Sequence, residues 1–207
     1  MVKLMMEKDH MEKLYSSKNP LIKYVHMGRL KKIISLIPKR KNMKILDAGC
    51  GEGQLLSMVS KKFGLFNLKL YGTDITDISL ESAKKRIENA KFSLQDLRDL
   101  DYKDEFFDVI MCTEVIEHVP EYKKVLKEFE RILKKGGMLI ISFPNEFLWT
   151  ISRFFLGRRP IKVPDHYNSF SPAIMIKEIN LNFKKRANVP FALPYFLALT
   201  RILVFEK

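Results

Sequence analysis

Two short stretches of this chain gather the residue types from which a reactive site is built. The first is Asp47-Ala-Gly49-Cys50-Gly51-Glu-Gly53-Gln54, an acid followed by three alternating glycines. It comes directly after the apolar pair Ile45-Leu46 and directly before an amphipathic run from Leu55 to Phe63. Strand, glycine loop and helix in that order bring a ligand against backbone amides at a helix N-terminus. The G-x-G-x-G spacing departs from the dinucleotide fingerprint. The second stretch is Cys112-Thr113-Glu114-Val-Ile-Glu117-His118. On a helix beginning there, Glu114, Glu117 and His118 at i, i+3 and i+4 share one face. A later polar cluster, Pro164-Asp165-His166-Tyr167-Asn168, adds a second imidazole. Two carboxylates and two imidazoles, Glu114, Glu117, His118 and His166, would suit a divalent ion such as Mg²⁺, Mn²⁺ or Zn²⁺.

The elements that must position these residues can be read from periodicity. Residues 10–37 read as helical, with apolar points from Leu14 to Ile37 and Pro20 as an interruption or first helical residue. Leu68 to Asp74 reads as a strand ending in an acid, and Ser79 to Asn89 as a charged helix. Ala90 to Asp96 alternates like a third strand and again ends in Asp. Phe107 to Cys112 is a buried fourth strand, and Tyr122 to Lys134 an amphipathic helix stopped at Gly136-Gly137. Met138 to Phe143 is a fifth strand closed by Pro144. Strands alternating with helices mean an α/β fold with a parallel, doubly wound sheet, its ligands at the C-terminal edge of the strands. Residues 144–170 mix aromatic, basic and Pro residues without clear periodicity and look like a lid-like insertion over that edge. Pro172 to Asn180 reads as a helix, with strands at Phe183–Val189 and Leu199–Phe205. Pro190 and Pro194 are expected outside the paired strands.

The string L-D-x-G-C-G-x-G resembles the first motif of class I S-adenosylmethionine-dependent methyltransferases, of the type that includes the ubiquinone-biosynthesis O-methyltransferases. The resemblance covers residues 40–145 well and the tails in outline, with three motifs in order and spacing. It implies a Rossmann-like seven-stranded sheet whose last two strands form an antiparallel hairpin. Strands four and five are neighbours in that fold, so the Glu114 and His166 loops would emerge together. It implies S-adenosylmethionine as cofactor, with Asp47 accepting from its ammonium group and Gly49, Gly51 and Gly53 leaving room for the methionine portion. Asp74 would take both ribose hydroxyls, Asp96 the adenine amino group, and Ile75 one face of the ring. Cys50, Gln54, Leu97 and Thr113 complete the expected cofactor contacts. An E-x-x-E-H stretch after strand four also resembles small-RNA 3′-terminal 2′-O-methyltransferases, where it helps to hold a metal. Pro144-Asn145-Glu146-Phe147 and Asp165-His166 resemble that group too, but the long extra domains of those enzymes are missing from this sequence.

Without a metal, Glu114 touches the cofactor, Glu117 caps the helix start and His118 faces the substrate as a base. Methyl transfer from a sulfonium is mostly alignment, and a hydroxyl nucleophile gains from a base or a nearby cation. No Asn/Asp-Pro-Pro-Tyr stretch, the mark of amino-methylating nucleic-acid enzymes, follows strand four. The expected reaction is O-methylation of a small-molecule, lipid- or glycan-linked hydroxyl, with Trp149, His166 and Tyr167 on the substrate side. The alternatives are an RNA 2′-O-methyltransferase and a non-catalytic binding module that kept the fold.

Composition limits the rest. At 207 residues with 46% hydrophobic content, the chain suits one domain with a helical N-terminal extension at 1–42. The formal charge of +13 is uneven: residues 1–44 carry +9, 151–207 carry +7, and 45–150 carry −3. Basic flanks around an acidic middle suit an anionic partner such as RNA, phospholipid or a phosphorylated glycan, and equally suit a Lys- and Ile-rich genome. Neither a signal peptide nor a membrane-spanning stretch is legible, although peripheral membrane contact is compatible with the charge. Cys50 and Cys112 fit free thiols in a reducing, cytoplasmic setting. Oligomeric state is not legible.

Overall fold

A computed structural model describes Tyr15 and residues 17–155, 167–179, 183–192 and 198–207. The strands are β1 (Lys44–Ala48), β2 (Lys69–Asp74), β3 (Ala90–Leu94), β4 (Phe107–Thr113), β5 (Leu133–Pro144), β6 (Lys184–Phe191) and β7 (Thr200–Glu206). The helices are α1 (Pro20–Leu36), α2 (Gln54–Lys62), α3 (Asp77–Arg86), α4 (Tyr122–Ile132), α5 (Glu146–Phe155) and α6 (Pro172–Ile179). The strands form one sheet in the order β3-β2-β1-β4-β5-β7-β6. The first five are mutually parallel, and β7 runs antiparallel to both β5 and β6. This is the expected Rossmann-like α/β sheet with its terminal hairpin.

Alternation along the strands divides the core into two layers. Leu46, Ile110, Leu139, Ile141 and Phe205 pack on Val125, Phe129 and Ile132 of α4 and on Met175 and Ile179 of α6. Ile45, Val109, Met111, Ile140 and Val204 pack on the other face, against Leu30, Ile33 and Ile34 of α1 and Leu55, Leu56 and Val59 of α2. With both faces covered, the C-terminal ends of β1, β2, β4 and β5 are the edge where loops can build a site.

Several boundaries differ from the periodicity reading, each for a physical reason. Pro20 takes the second of its two expected roles, the first residue of α1, and the helix is capped by Asn19, whose side chain accepts from Leu21 N. α4 stops at Ile132 and not at the glycine pair, because Leu133 is already paired with Phe107 in the sheet. Gly136 and Gly137 lie inside β5, where Gly136 has φ +71° and donates to the Lys207 carbonyl. They make an irregularity in a strand, not a helix stop. Residues 146–155 form α5, not an irregular segment, with Phe147 73% exposed and Phe154 also exposed. Pro190 is in register with Arg201 within β6, contrary to its expected place outside the strands. β6 is an edge strand of the sheet, the kind of strand that tolerates a missing N–H. Pro194 lies outside the described residues.

Candidate functional site

The glycine loop is pinned to the end of β2. Gly49 N and Cys50 N both donate to the Thr73 carbonyl, at 2.8 and 2.9 Å. Gly51 N donates to Asp74 Oδ2 at 2.8 Å. The other oxygen, Oδ1, accepts from the amide and hydroxyl of Thr76. Gly49, Gly51 and Gly53 all have positive φ, but their missing side chains serve different ends. A Cβ on Gly49 would lie 2.5 Å from a Val115 methyl, and one on Gly53 would lie 3.0 Å from Ala83. A Cβ on Gly51 would meet nothing within 4 Å, so only there does the absent side chain open space toward a ligand.

Asp47 lies beneath this loop, 1% exposed, and its Oδ1 has no hydrogen-bond partner among the described residues. Burial, and then the charge of Asp74, push its carboxyl up to about 8. A buried carboxylate oxygen without a partner fits a cationic group such as an ammonium. Ile75, directly after Asp74, is 54% exposed, an apolar side chain facing solvent at the sheet edge. Leu97 is buried. Asp96 is already engaged: Arg98 Nη2 is 2.6 Å from Oδ2, and the Arg98 amide donates to Oδ1. Those hydrogen bonds hold the Asp96 carboxyl below its ordinary range. Gln54 Oε1 accepts from Arg86 Nη1, and Arg86 Nε donates to the Glu52 carbonyl, so α3 braces the loop.

The Glu114–His118 stretch does not start a helix. Ile116–His118 is a single 3₁₀ turn, and α4 begins only at Tyr122. Glu114 has φ +56°, a backbone conformation uncommon outside glycine. It is held there from two sides. Its amide donates to the Ser142 carbonyl at 3.0 Å, and its Oε1 accepts from the Ser142 hydroxyl at 3.2 Å. Its Oε2 pairs with Arg29 Nη1 of α1 at 2.9 Å, with Arg29 only 3% exposed. Glu117 points inward and is 1% exposed. Burial, and then the Glu114 charge, push it well above the usual carboxylate range. It caps no helix: neither the 3₁₀ turn nor α4 has a side-chain N-cap bond. His118 is half-buried at the end of the turn.

Among the described residues, no three His, Cys, Asp or Glu side chains are grouped to hold a metal ion. Glu114 is turned to Arg29 and Glu117 lies beneath it, so the one-face arrangement required for the four-ligand set is not formed by the three members described. His166 lies outside the described residues. The loop that follows it does meet the turn, since Asn168 N donates to the Glu117 carbonyl and Asn168 Nδ2 to the Val119 carbonyl. Tyr167 beside it is exposed. Trp149 is half-buried on α5, its ring 6.4 Å from that of His26 on α1. Thr113 ends β4 in register with Ser142. Cys50 and Cys112 are both free and buried.

Sequence reasoning missed Arg29, Ser142 and Arg86. Two of them left a signal. Arg29 is a cation on the buried stripe Val25-Arg29-Ile33 of α1, and Ser142 a lone hydroxyl in the apolar run of β5. A polar residue on a buried face needs a partner, and both find it in Glu114.

Comparison with known proteins agrees with this geometry. Residues 39–182 match a family model described as a methyltransferase domain. The chain is 31% identical over 195 residues to the ubiquinone biosynthesis O-methyltransferase of Pelagibacter ubique, covering 84% of this chain and 77% of that one. It is 32% identical over 135 residues to a demethylmenaquinone methyltransferase of Staphylococcus aureus, covering 63% of this chain but only 56% of the relative's length. The fold superposes on a Pyrococcus horikoshii protein with a TM-score of 0.74 at 21% identity, covering 98% and 99% of the two chains. Sheet order, glycine loop and family match together show that the chain belongs to the methyltransferase-domain family and is a class I S-adenosylmethionine-dependent methyltransferase.

Proposed function

We propose that this methyltransferase acts on an oxygen, the hydroxyl of a small-molecule, lipid- or glycan-linked acceptor. When bound, the cofactor supplies a methyl group already activated on a sulfonium. In this reading Asp47 receives the cofactor's ammonium group and the open face of Gly51 receives its methionine portion. Asp74 turns from Gly51 and Thr76 toward the ribose, Ile75 covers the adenine, and Asp96 shares its carboxylate between Arg98 and the adenine amino group. Cys50, Gln54, Leu97 and Thr113 line the same pocket. Trp149 and Tyr167 face the acceptor.

The observation that carries the reading is the division of labour around the turn after β4. Glu114 is committed to Arg29 and Ser142, and Glu117 is buried with a carboxyl that resists ionisation. Neither is suited to take a proton, which leaves His118, whose side-chain type exchanges protons near neutral pH. A group that removes a proton serves a hydroxyl nucleophile. The similarity to the Pelagibacter O-methyltransferase supports the same choice. A second reading, an RNA hydroxyl, is favoured by the exposed Phe147 and Phe154 near strongly basic flanks, since aromatic faces and cations together bind single strands.

Incubation with methyl-labelled cofactor and either total RNA or a polar-lipid and metabolite extract separates the two. We expect oxygen-linked label in the extract. Label confined to RNA would establish the second reading, and label on nitrogen or carbon would overturn both.

A further inference from the structure

Besides Asp47 Oδ1, two further buried polar atoms of the site have no partner among the described residues, and they belong to side chains from distant parts of the sequence. One is Arg29 Nε, on the helix that precedes the first strand. The other is Glu117 Oε2, in the turn after β4. Arg29 is 3% exposed and Glu117 1%. Arg29 Nη1 lies 2.9 Å from Glu114, which leads directly into the turn that holds Glu117, and the charges of Glu114 and then Arg29 act on the Glu117 carboxyl. An unsatisfied buried donor or acceptor costs about 1–3 kcal/mol, so two in one cluster call for an explanation.

Neighbouring groups of the cluster are engaged. Arg29 Nη1 is spent on Glu114, and Tyr15 also hydrogen-bonds Arg29. Glu114 is held by Ser142. Val115 sits against Gly49, which brings the turn over the cofactor loop. Asn168, near the end of the expected lid, donates to the Glu117 carbonyl, so this part of the chain meets the same turn. The two unmatched atoms therefore belong to residues on α1 and on a turn that touches both the cofactor loop and Asn168.

We propose that Arg29 Nε and Glu117 Oε2 form the contact for a hydroxyl of the methyl acceptor, the Arg29 N–H donating to its oxygen and its O–H meeting the Glu117 carboxyl. A hydroxyl is the small group that both donates and accepts, so it satisfies a donor and a carboxyl in either protonation state. An ether accepts but cannot donate, and a carboxylate would meet Glu114 and Glu117 unfavourably. Selectivity of this kind is strong, because a ligand lacking the O–H leaves buried groups unpaired. The inference rests on the oxygen-acceptor reading and adds Arg29 and α1 to the part of the site that recognises the acceptor.

Phenol and anisole, alike in shape but differing in the O–H, are the probes, titrated by NMR into protein loaded with S-adenosylhomocysteine. Phenol is expected to bind about tenfold more tightly than anisole, the worth of roughly one buried hydrogen bond. Glu117→Met and Arg29→Lys should each reduce that ratio to within about twofold, whereas Glu117→Gln, which still donates and accepts, should keep it. Calorimetry with S-adenosylhomocysteine tests whether each variant retains its fold, its affinity being expected within about threefold of the parent's. Equal affinity for phenol and anisole, no phenol binding at millimolar concentration, or a ratio that survives both substitutions would overturn the inference. The last of these results would mean that buried water satisfies the two atoms. Label on nitrogen or carbon in the extract assay would overturn the oxygen reading separately, since the probe ratio does not depend on methyl transfer.

Discussion

At the scale of single residues, the site stores its unmet demand in Asp47. Its carboxyl titrates at about 8 in the folded chain, against about 4 when unfolded. The folded protein therefore binds a proton that the unfolded chain releases between those two values. That contribution to stability is whole below about pH 4 and is lost as the pH rises toward 8. Asp47→Asn should flatten the decline in melting temperature of the cofactor-free protein between pH 4 and 8, leaving the variant more stable than the parent at pH 8. It should also weaken S-adenosylhomocysteine binding by about 10–100-fold, the worth of a charge-assisted hydrogen bond. Parallel melting curves across that pH range would contradict the assignment. His118 makes a different prediction. If it takes the acceptor's proton, kcat/KM should rise with pH through one ionisation, and His118→Ala should remove that rising limb. The loss should be about 10²–10⁴-fold in kcat, with little change in cofactor affinity. A retained limb in the variant would move the base elsewhere.

At the scale of elements, the glycine loop and α1 carry the site. Gly49→Ala and Gly51→Ala both force an alanine into positive φ, a cost of about 1–2 kcal/mol. Only the first also drives a Cβ to 2.5 Å from Val115. Gly49→Ala should lose about 2–5 kcal/mol in urea unfolding. Gly51→Ala should fold with a smaller loss yet bind S-adenosylhomocysteine poorly, because its methyl fills the space left for the ligand. α1 is more than an appendage to the sheet, since it buries Leu30, Ile33 and Ile34 and presents Arg29 to Glu114. Its first turn depends on the Asn19 cap. Asn19→Ala should cost about 1 kcal/mol and speed amide exchange at Leu21 and Ile22 while leaving β1 and β4 protected.

At the scale of the whole molecule, the parallel strands end at one edge, and ligand binding there should be felt throughout the fold. S-adenosylhomocysteine at about a hundred times its dissociation constant should add about 2.7 kcal/mol of stability. For a chain of this size that corresponds to a rise in melting temperature of roughly 5–10 °C. No rise at any concentration would contradict the cofactor assignment. No helix among the described residues is long and apolar enough to cross a membrane. The charge of +13 is concentrated before residue 45 and after residue 150, outside the strand ends that form the site. Steering of an anionic acceptor would therefore come from the flanks.

The sequence by itself determined the sheet class, the glycine loop, the acids at the ends of β1 and β2 and the helix faces of α2 and α4. Each of these rests on a local pattern: a two-residue or near-four-residue period, or a glycine spacing that only one backbone path accommodates. Where local signals competed with pairing, the tertiary structure decided. The Gly136-Gly137 pair looked like a helix stop, yet Leu133 had already joined the sheet opposite Phe107. Pro190 looked like a strand breaker, yet it falls on an edge strand, which tolerates a missing N–H. The i, i+3, i+4 spacing of Glu114, Glu117 and His118 suggested one helical face. A buried arginine 85 residues before Glu114 pulls that carboxylate aside, and the backbone turns through positive φ to let it. Spacing encodes which residues can be neighbours within an element. The partner that a buried charge finds depends on which elements the folded sheet brings together, and Arg29 and Glu114 meet only because folding brings α1 against the loop that follows β4.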